Sequence, residues 1–125
     1  MKRILIVDDQ DGMRTMVRDI LEEWDDTLAI EDEDNGFTAL ARLEKEAYDL
    51  LICDVKMPKL NGFEVLNAVR QACSNPQMPV IMLTAEADPI SIARGATLGA
   101  TSYLTKPFNS QDLISNVQAL LKFTS

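Results

Sequence analysis

The chain has 125 residues, 46% of them hydrophobic and 26% charged, with a formal net charge of −8. That length suits one domain with one core, and the acidic balance disfavours nucleic acid or an anionic membrane as a direct partner. The longest apolar runs, such as Ile4 to Val7 and Val80 to Leu83, are too short to cross a bilayer, and the absence of histidine excludes imidazole chemistry.

Cys53 and Cys73 have no metal-ligand spacing. Met1-Lys2-Arg3-Ile4 runs at once into Asp8-Asp9, without the long apolar stretch of a secretory signal, so a cytoplasmic location is expected. One unit over residues 1–125 is expected.

The run Ile4-Leu5-Ile6-Val7 predicts a first strand buried on both faces of a parallel sheet. After Asp11, Met13, Met16, Val17, Ile20, Leu21 and Trp24 recur at helical spacing. A weak second strand is predicted near Leu28 to Asp32, with Glu31 to Asp34 forming a solvated edge. Asn35-Gly36 reads as a turn, before a helix from about Phe37 to Ala47 with Leu40, Ala41 and Leu43 inward.

The third strand, Leu50 to Cys53, leads into Asp54. Met57-Pro58 and Asn61-Gly62 then break the chain before a helix carrying Phe63, Leu66 and Val69. A fourth strand, Val80 to Leu83, ends at Thr84. Asp88-Pro89 predicts an N-cap with proline in the first helical position. The helix it opens has a thin inner face, and its Gly95 costs about 1 kcal/mol relative to alanine, so this is the element expected to move most. The fifth strand, Ser102 to Thr105, stops at Lys106-Pro107. The last helix runs from about Ser110 to Phe123, capped by Asn109 or Ser110, with Leu113, Ile114, Val117, Leu120 and Leu121 inward.

Strict alternation of strand and helix predicts a parallel α/β sheet with five helices on its two faces, joined by right-handed crossovers. The length suits a flavodoxin-like, five-stranded arrangement in the order 2-1-3-4-5. In such sheets the ligand site lies at the carboxyl ends of the strands, beside the point where the order reverses. Here the first strand ends in Asp8-Asp9, the third in Asp54, the fourth in Thr84 and the fifth in Lys106. Asp8, Asp9 and Asp54 should therefore cluster, with Thr84 and Lys106 flanking them.

Taken singly, each of these residues has a plainer reading. An acidic pair is usually a solvated turn, Asp54 could cap a helix, Thr84 could merely end a strand, and Lys106 could lie on the surface. Their convergence at one sheet edge outweighs those readings. Two carboxylates about 4 Å apart repel by roughly 4 kcal/mol at an effective dielectric near 20, so three require a compensating cation or raised pKa values. Lys106 supplies one charge. A hard, oxygen-seeking Mg2+ suits carboxylates plus phosphate. With both cations present Asp54 becomes a phosphoryl acceptor, and the Thr84 hydroxyl could donate one hydrogen bond. The sequence contains no nucleotide-binding loop, so the phosphate must come from a partner or a small phosphodonor.

In the order and spacing of these segments, the sequence resembles a response-regulator receiver domain of two-component signalling over essentially its whole length. The resemblance is carried by Ile4-Leu5-Ile6-Val7-Asp8-Asp9, Asp54-Val55-Lys56-Met57-Pro58 with Asn61-Gly62, Leu83-Thr84-Ala85, Gly99-Ala100 and Tyr103-Leu104-Thr105-Lys106-Pro107-Phe108. It implies that Asp9, Asp54 and the Lys56 backbone carbonyl contact Mg2+, with Asp8 acting largely through water. Asp54 would carry the phosphoryl group, Thr84 and Lys106 would hold its oxygens, and the Ala85 amide would assist. Thr84 and Tyr103 would act as the switch, repacking the face formed by the fourth helix, fifth strand and last helix. Lys106-Pro107 is similar to the family's cis peptide.

The implied partners are a histidine kinase or histidine phosphotransfer protein as phosphodonor, docking near Met13, Arg14 and the loop after Lys106. A downstream protein target or an output domain would read the switch. The sequence is compatible with a free-standing, chemotaxis-type receiver or with the receiver part of a longer regulator. Lys56 and Glu86 depart from the common pattern beside the pocket and could tune the lifetime of the aspartyl phosphate. A Mg2+-dependent phosphohydrolase is the competing reading, but it requires a second acid two residues after the nucleophile, where Lys56 stands. A nucleotide or flavin binder would require a glycine-rich loop in place of Asp8-Asp9.

Overall fold

The computed structural model describes residues 1–72, 75–85 and 89–121. Strands and helices alternate in it as β1 (Arg3–Val7), α1 (Asp11–Trp24), β2 (Ala29–Glu33), α2 (Gly36–Lys45) and β3 (Leu50–Asp54). Then follow α3 (Gly62–Ala72), β4 (Val80–Thr84), α4 (Pro89–Leu98), β5 (Ser102–Thr105) and α5 (Ser110–Leu121). All four strand pairings are parallel, and the order is β2-β1-β3-β4-β5, as the alternation predicts.

Successive strand side chains point to opposite faces, so each strand feeds two cores. Ile4, Ile6, Ile52, Ile81 and Leu83 pack with Val17 and Leu21 of α1 and Leu113 and Val117 of α5. Leu5, Val7, Leu51, Val80 and Met82 face the other way, against Ala39 and Leu43 of α2 and Val65, Leu66 and Val69 of α3. Residues of β1, β3 and β4 from Ile4 onward are buried on both faces, which is why they read as unbroken apolar runs.

The acidic second strand is the partly exposed edge of the sheet, as expected, but its carboxylates are paired rather than only solvated. Glu31 bridges Arg3 (2.7 Å) and Arg42 (2.5 Å), and it accepts the Tyr48 hydroxyl at 3.1 Å. Arg42 also reaches Glu33 at 2.6 Å, while Asp32 takes Arg18 at 2.8 Å and Arg14 at 2.9 Å. The strand carries negative charge because arginines from β1, α1 and α2 converge on it. Those arginines hold the Glu31 and Asp32 carboxyls below their ordinary ranges: the Arg3 hydrogen bond dominates at Glu31, and the Arg14 and Arg18 hydrogen bonds prevail over burial at Asp32.

Three smaller expectations change as well. Asn35 is the N-cap of α2 rather than a turn residue, its side chain accepting the Thr38 amide at 2.9 Å. On α2, Leu43 is buried and Leu40 packs partly against the core as expected, but Ala39 rather than Ala41 takes the third inward position, and Ala41 is exposed. Met16 is 37% exposed, because Val17 and Leu21 take the core-facing stripe of α1. The helix cap expected at Asp88, the side chain of Glu86, the thiol of Cys73 and the helix end at Phe123 lie outside the described residues.

Candidate functional site

The carboxyl ends of β1 and β3 are neighbours in the sheet, since Val7 pairs with Cys53. The residues just beyond that pair therefore meet. Asp8, Asp9 and Asp54 each place a carboxylate oxygen within 4.8 Å of the other two. Asp8 is fully buried, Asp54 is 5% exposed and Asp9 faces solvent. Lys106 comes in from the end of β5, its Nζ 3.0 Å from Asp54 Oδ1 and 3.2 Å from Asp8 Oδ2.

The electrostatics follow from that crowding. Burial pushes the Asp54 carboxyl above the ordinary aspartate range; the Lys106 hydrogen bond opposes this, and the Asp8 and Asp9 charges add to it. Burial weakens the Lys106 ammonium, but Asp54 and Asp8 outweigh it and hold the amine above its ordinary value. Lys106 pairs with two of the three carboxylates, Asp8 and Asp54. The donor set is entirely oxygen and negatively charged, which suits a hard divalent cation.

Each side chain is fixed by its own local structure. The Asp8 carboxylate accepts the Gln10 amide at 2.9 Å, and the Asp8 carbonyl accepts Arg14 Nη1 at 2.7 Å. Arg14 thus ties α1 to the acidic loop and to Asp32, with its side chain only 15% exposed. It braces the acidic loop from α1.

Beyond Asp54, the Val55 amide returns to the Leu83 carbonyl and the Gly62 amide to the Val55 carbonyl, both at 2.9 Å. Asn61 and Glu64 then exchange reciprocal side-chain-to-amide bonds of 3.0 Å, a capping box that starts α3. Gly62 is obligatory here: a Cβ would lie 2.2 Å from the Asp54 carbonyl oxygen.

A cleft of about 190 Å³ opens over this floor, lined by Gln10, Asp54, Lys56, Thr84, Ala85 and Lys106. Thr84 is 3% exposed and pairs in register with Thr105. The Lys106 amide donates to the Thr84 carbonyl at 2.7 Å, and the Lys106-Pro107 peptide is cis. The Lys56 side chain is exposed at the rim. Tyr103 stands apart from the cleft, half-buried beneath α4, with its hydroxyl donating to the Ser91 carbonyl at 2.9 Å.

The structure therefore gathers Asp8, Asp9, Asp54, Thr84 and Lys106 at one sheet edge and sets Tyr103 on the adjoining strand. Sequence reasoning missed Gln10, the Arg14 brace and the steric demand at Gly62. The Asn-Gly pair was visible as a chain break, but the closeness of the Asp54 backbone to it was not.

Comparison with known proteins bears on the same segments. Residues 4–118 match the family described as "Response regulator receiver domain". The transcriptional regulatory protein CpxR of Escherichia coli K12 is 40% identical over 123 residues, covering 98% of this chain and 50% of that protein. The chain spans about half the length of the curated relatives it matches. Among solved structures, the chemotaxis protein CheY4 of Vibrio cholerae superposes with a TM-score of 0.88 at 37% identity, covering 96% of this chain and 98% of that one. A CheY-like receiver domain protein of Methanospirillum hungatei gives 0.90 at 31% identity, with 99% and 96% covered.

Proposed function

The chain belongs to the response-regulator receiver family of two-component signalling, whose members are phosphoacceptor switches, and on that premise we propose that Asp54 is its phosphoacceptor. The observation that carries this reading is the meeting of Asp8, Asp9 and Asp54 around Lys106 beneath an open cleft. Asp54 is the one carboxylate of the three that also lines that cleft.

In the proposed reaction an Asp54 carboxylate oxygen attacks the phosphorus of a phosphohistidine. The oxygen–phosphorus bond forms as the phosphorus–nitrogen bond breaks, and the electron pair leaves on the imidazole nitrogen. Lys106 and Thr84 are placed to hold phosphoryl oxygens, and the Ala85 amide is a third candidate donor. Asp8, Asp9, Asp54 and the Lys56 carbonyl are the proposed ligands of Mg2+, which would supply positive charge to the transferring oxygens. Asp8, with both carboxylate oxygens already accepting hydrogen bonds, suits the indirect role.

The donor is proposed to be a histidine kinase or a histidine phosphotransfer protein acting in the cytoplasm. The added charge of about −1.5 to −2 would draw Thr84 and Lys106 inward, with Tyr103 relaying the change to the face of α4, β5 and α5. That face would be read by a protein target or an output domain. Direct contact with nucleic acid is disfavoured by the net charge of −8, and among the described residues no helix is long and apolar enough to cross a membrane.

Incubation with acetyl phosphate and Mg2+ tests the reading. One base-labile phosphoryl group per chain, mapping to Asp54 and absent from Asp54→Asn, is expected. Continuous turnover of unrelated phosphate esters would instead favour a phosphohydrolase.

A further inference from the structure

Gly95 lies in the middle of α4, where glycine is the poorest helix former after proline. Its backbone does not need glycine, because among the described glycines only Gly99 has a positive φ. A second observation supplies the reason. A Cβ built on Gly95 would lie 1.5 Å from the Tyr103 hydroxyl oxygen, 2.5 Å from Cζ and 2.8 Å from Cε2. The ring therefore occupies the space that any other residue at 95 would fill. Gly95 is also the only buried residue of α4 among those described.

Once seated, Tyr103 satisfies its polar end by donating to the Ser91 carbonyl at 2.9 Å, one turn before Gly95. The strand that carries it leads directly to the cleft. Tyr103 pairs with Met82, Thr105 pairs with Thr84, and the Lys106 amide holds the Thr84 carbonyl. A displacement of Thr84 or Lys106 is thus only a few residues of β4 and β5 away from the ring.

From this we infer that Gly95 is the seat of Tyr103. The side chain missing at this position admits the ring beneath α4, so residue 95 sets how firmly the tyrosine holds its inward place. Gly95 is a positioning residue, acting on the cleft only through Tyr103. The link from seat to signalling rests on the reading of Tyr103 as a switch residue. The outer side of the same helix, with Ile90 82% and Ile92 38% exposed, would move with the seat.

The test compares the full chain with Gly95→Ala, Tyr103→Ala and the double variant. Alanine is the better helix former, so the sign of its effect is diagnostic. With Tyr103 present, Gly95→Ala is expected to lower Tm by several degrees. In the Tyr103→Ala background the same change should raise Tm, a reversal that simple additivity cannot give.

Ring-labelled tyrosine NMR adds a spectroscopic readout, since the chain has only Tyr48 and Tyr103. Gly95→Ala should move the Tyr103 signal toward that of a free, solvated ring and leave Tyr48 unchanged. The same sign of Tm change in both backgrounds, or an unmoved Tyr103 signal, overturns the inference. Should Gly95→Ala fail to fold, recovery of folded protein in the double variant supports the seat, and a double variant that also fails overturns it. Beryllofluoride with Mg2+ separates the two readings. A seat confirmed by sign reversal, with a Tyr103 signal indifferent to beryllofluoride, removes the switch role and leaves the seat. An apparent beryllofluoride affinity changed about threefold or more by Gly95→Ala, only when Tyr103 is present, supports both.

Discussion

Lys106 Nζ and Asp54 Oδ1 stand 3.0 Å apart, although 52 residues separate them in the chain. The same amine reaches Asp8, so one cation spans two strand tips that would otherwise repel. Removing it leaves the buried Asp8 and Asp54 carboxylates facing each other without the ammonium that joins them, the situation in which losing one partner is costly. Lys106→Met is therefore expected to cost about 1–3 kcal/mol of stability in metal-free buffer. The loss should shrink when Mg2+ is added, because an ion held as proposed would neutralise the same oxygens. Urea denaturation with and without Mg2+ reads both effects, and equal losses in the two buffers would contradict the shared-site account.

Gly62→Ala probes the floor of the site. Its Cβ would meet the Asp54 carbonyl at 2.2 Å and the Val55 Cα at 2.9 Å, both backbone atoms with little room to yield. A loss of roughly 2 kcal/mol or more is expected, together with weakened phosphoryl uptake at Asp54. Chemical denaturation and acetyl phosphate labelling of the folded fraction measure the two consequences separately.

The β2 ion pairs predict an acid-sensitive fold. The Glu31 carboxyl is depressed below its ordinary value of 4.5 by the Arg3 hydrogen bond and, against the opposing effect of burial, by Tyr48 and Arg42. A depressed acid contributes stability that is fully present above its unfolded pKa and is lost as pH falls through the folded one. The loss should therefore begin near pH 4.5 and deepen below it. Glu31 is about one-third exposed, so solvent screening limits its share to roughly 0.5–1 kcal/mol. Glu31→Gln should lower stability at pH 7 and flatten the slope of stability between pH 5 and about 3. A variant whose pH profile parallels the parent would contradict this.

These arginine–carboxylate contacts also mark where sequence reasoning stopped. Strand order, the two-faced burial of Ile4 to Val7 and the acid cluster were legible, because each depends on local period and on which residue ends each apolar run. The role of Glu31 was not, because its partners come from Arg3 and Arg42, distant in sequence and silent in a charge count. The contact at Gly95 was not legible either, because the ring that lies against it comes from β5. A helix glycine looks like a weakness until the fold brings Tyr103 against it. On α2 the departure was one residue: Ala41 reads as inward, but Ala39 takes the core position beside Leu43, with Leu40 packed partly against it.

Arg70 fastens the other end of α4. Its guanidinium donates to the Gly99 carbonyl at 2.8 and 3.1 Å, to Met78 at 2.6 Å and to Pro76 at 2.9 Å. A lysine cannot reproduce that fork. Arg70→Lys should cost about 1–2 kcal/mol and speed amide hydrogen exchange at Gly99 and Ala100 more than in β1 or β3. Exchange that accelerates uniformly across the sheet would argue for a global effect instead.

The most direct test of the central claim is calorimetric titration with Mg2+. If Asp8, Asp9 and Asp54 form one cation site, the chain takes up a single ion, and Asp9→Asn and Asp54→Asn each weaken uptake at least tenfold. Uptake unchanged by both substitutions, or no uptake by the parent, would contradict the claim.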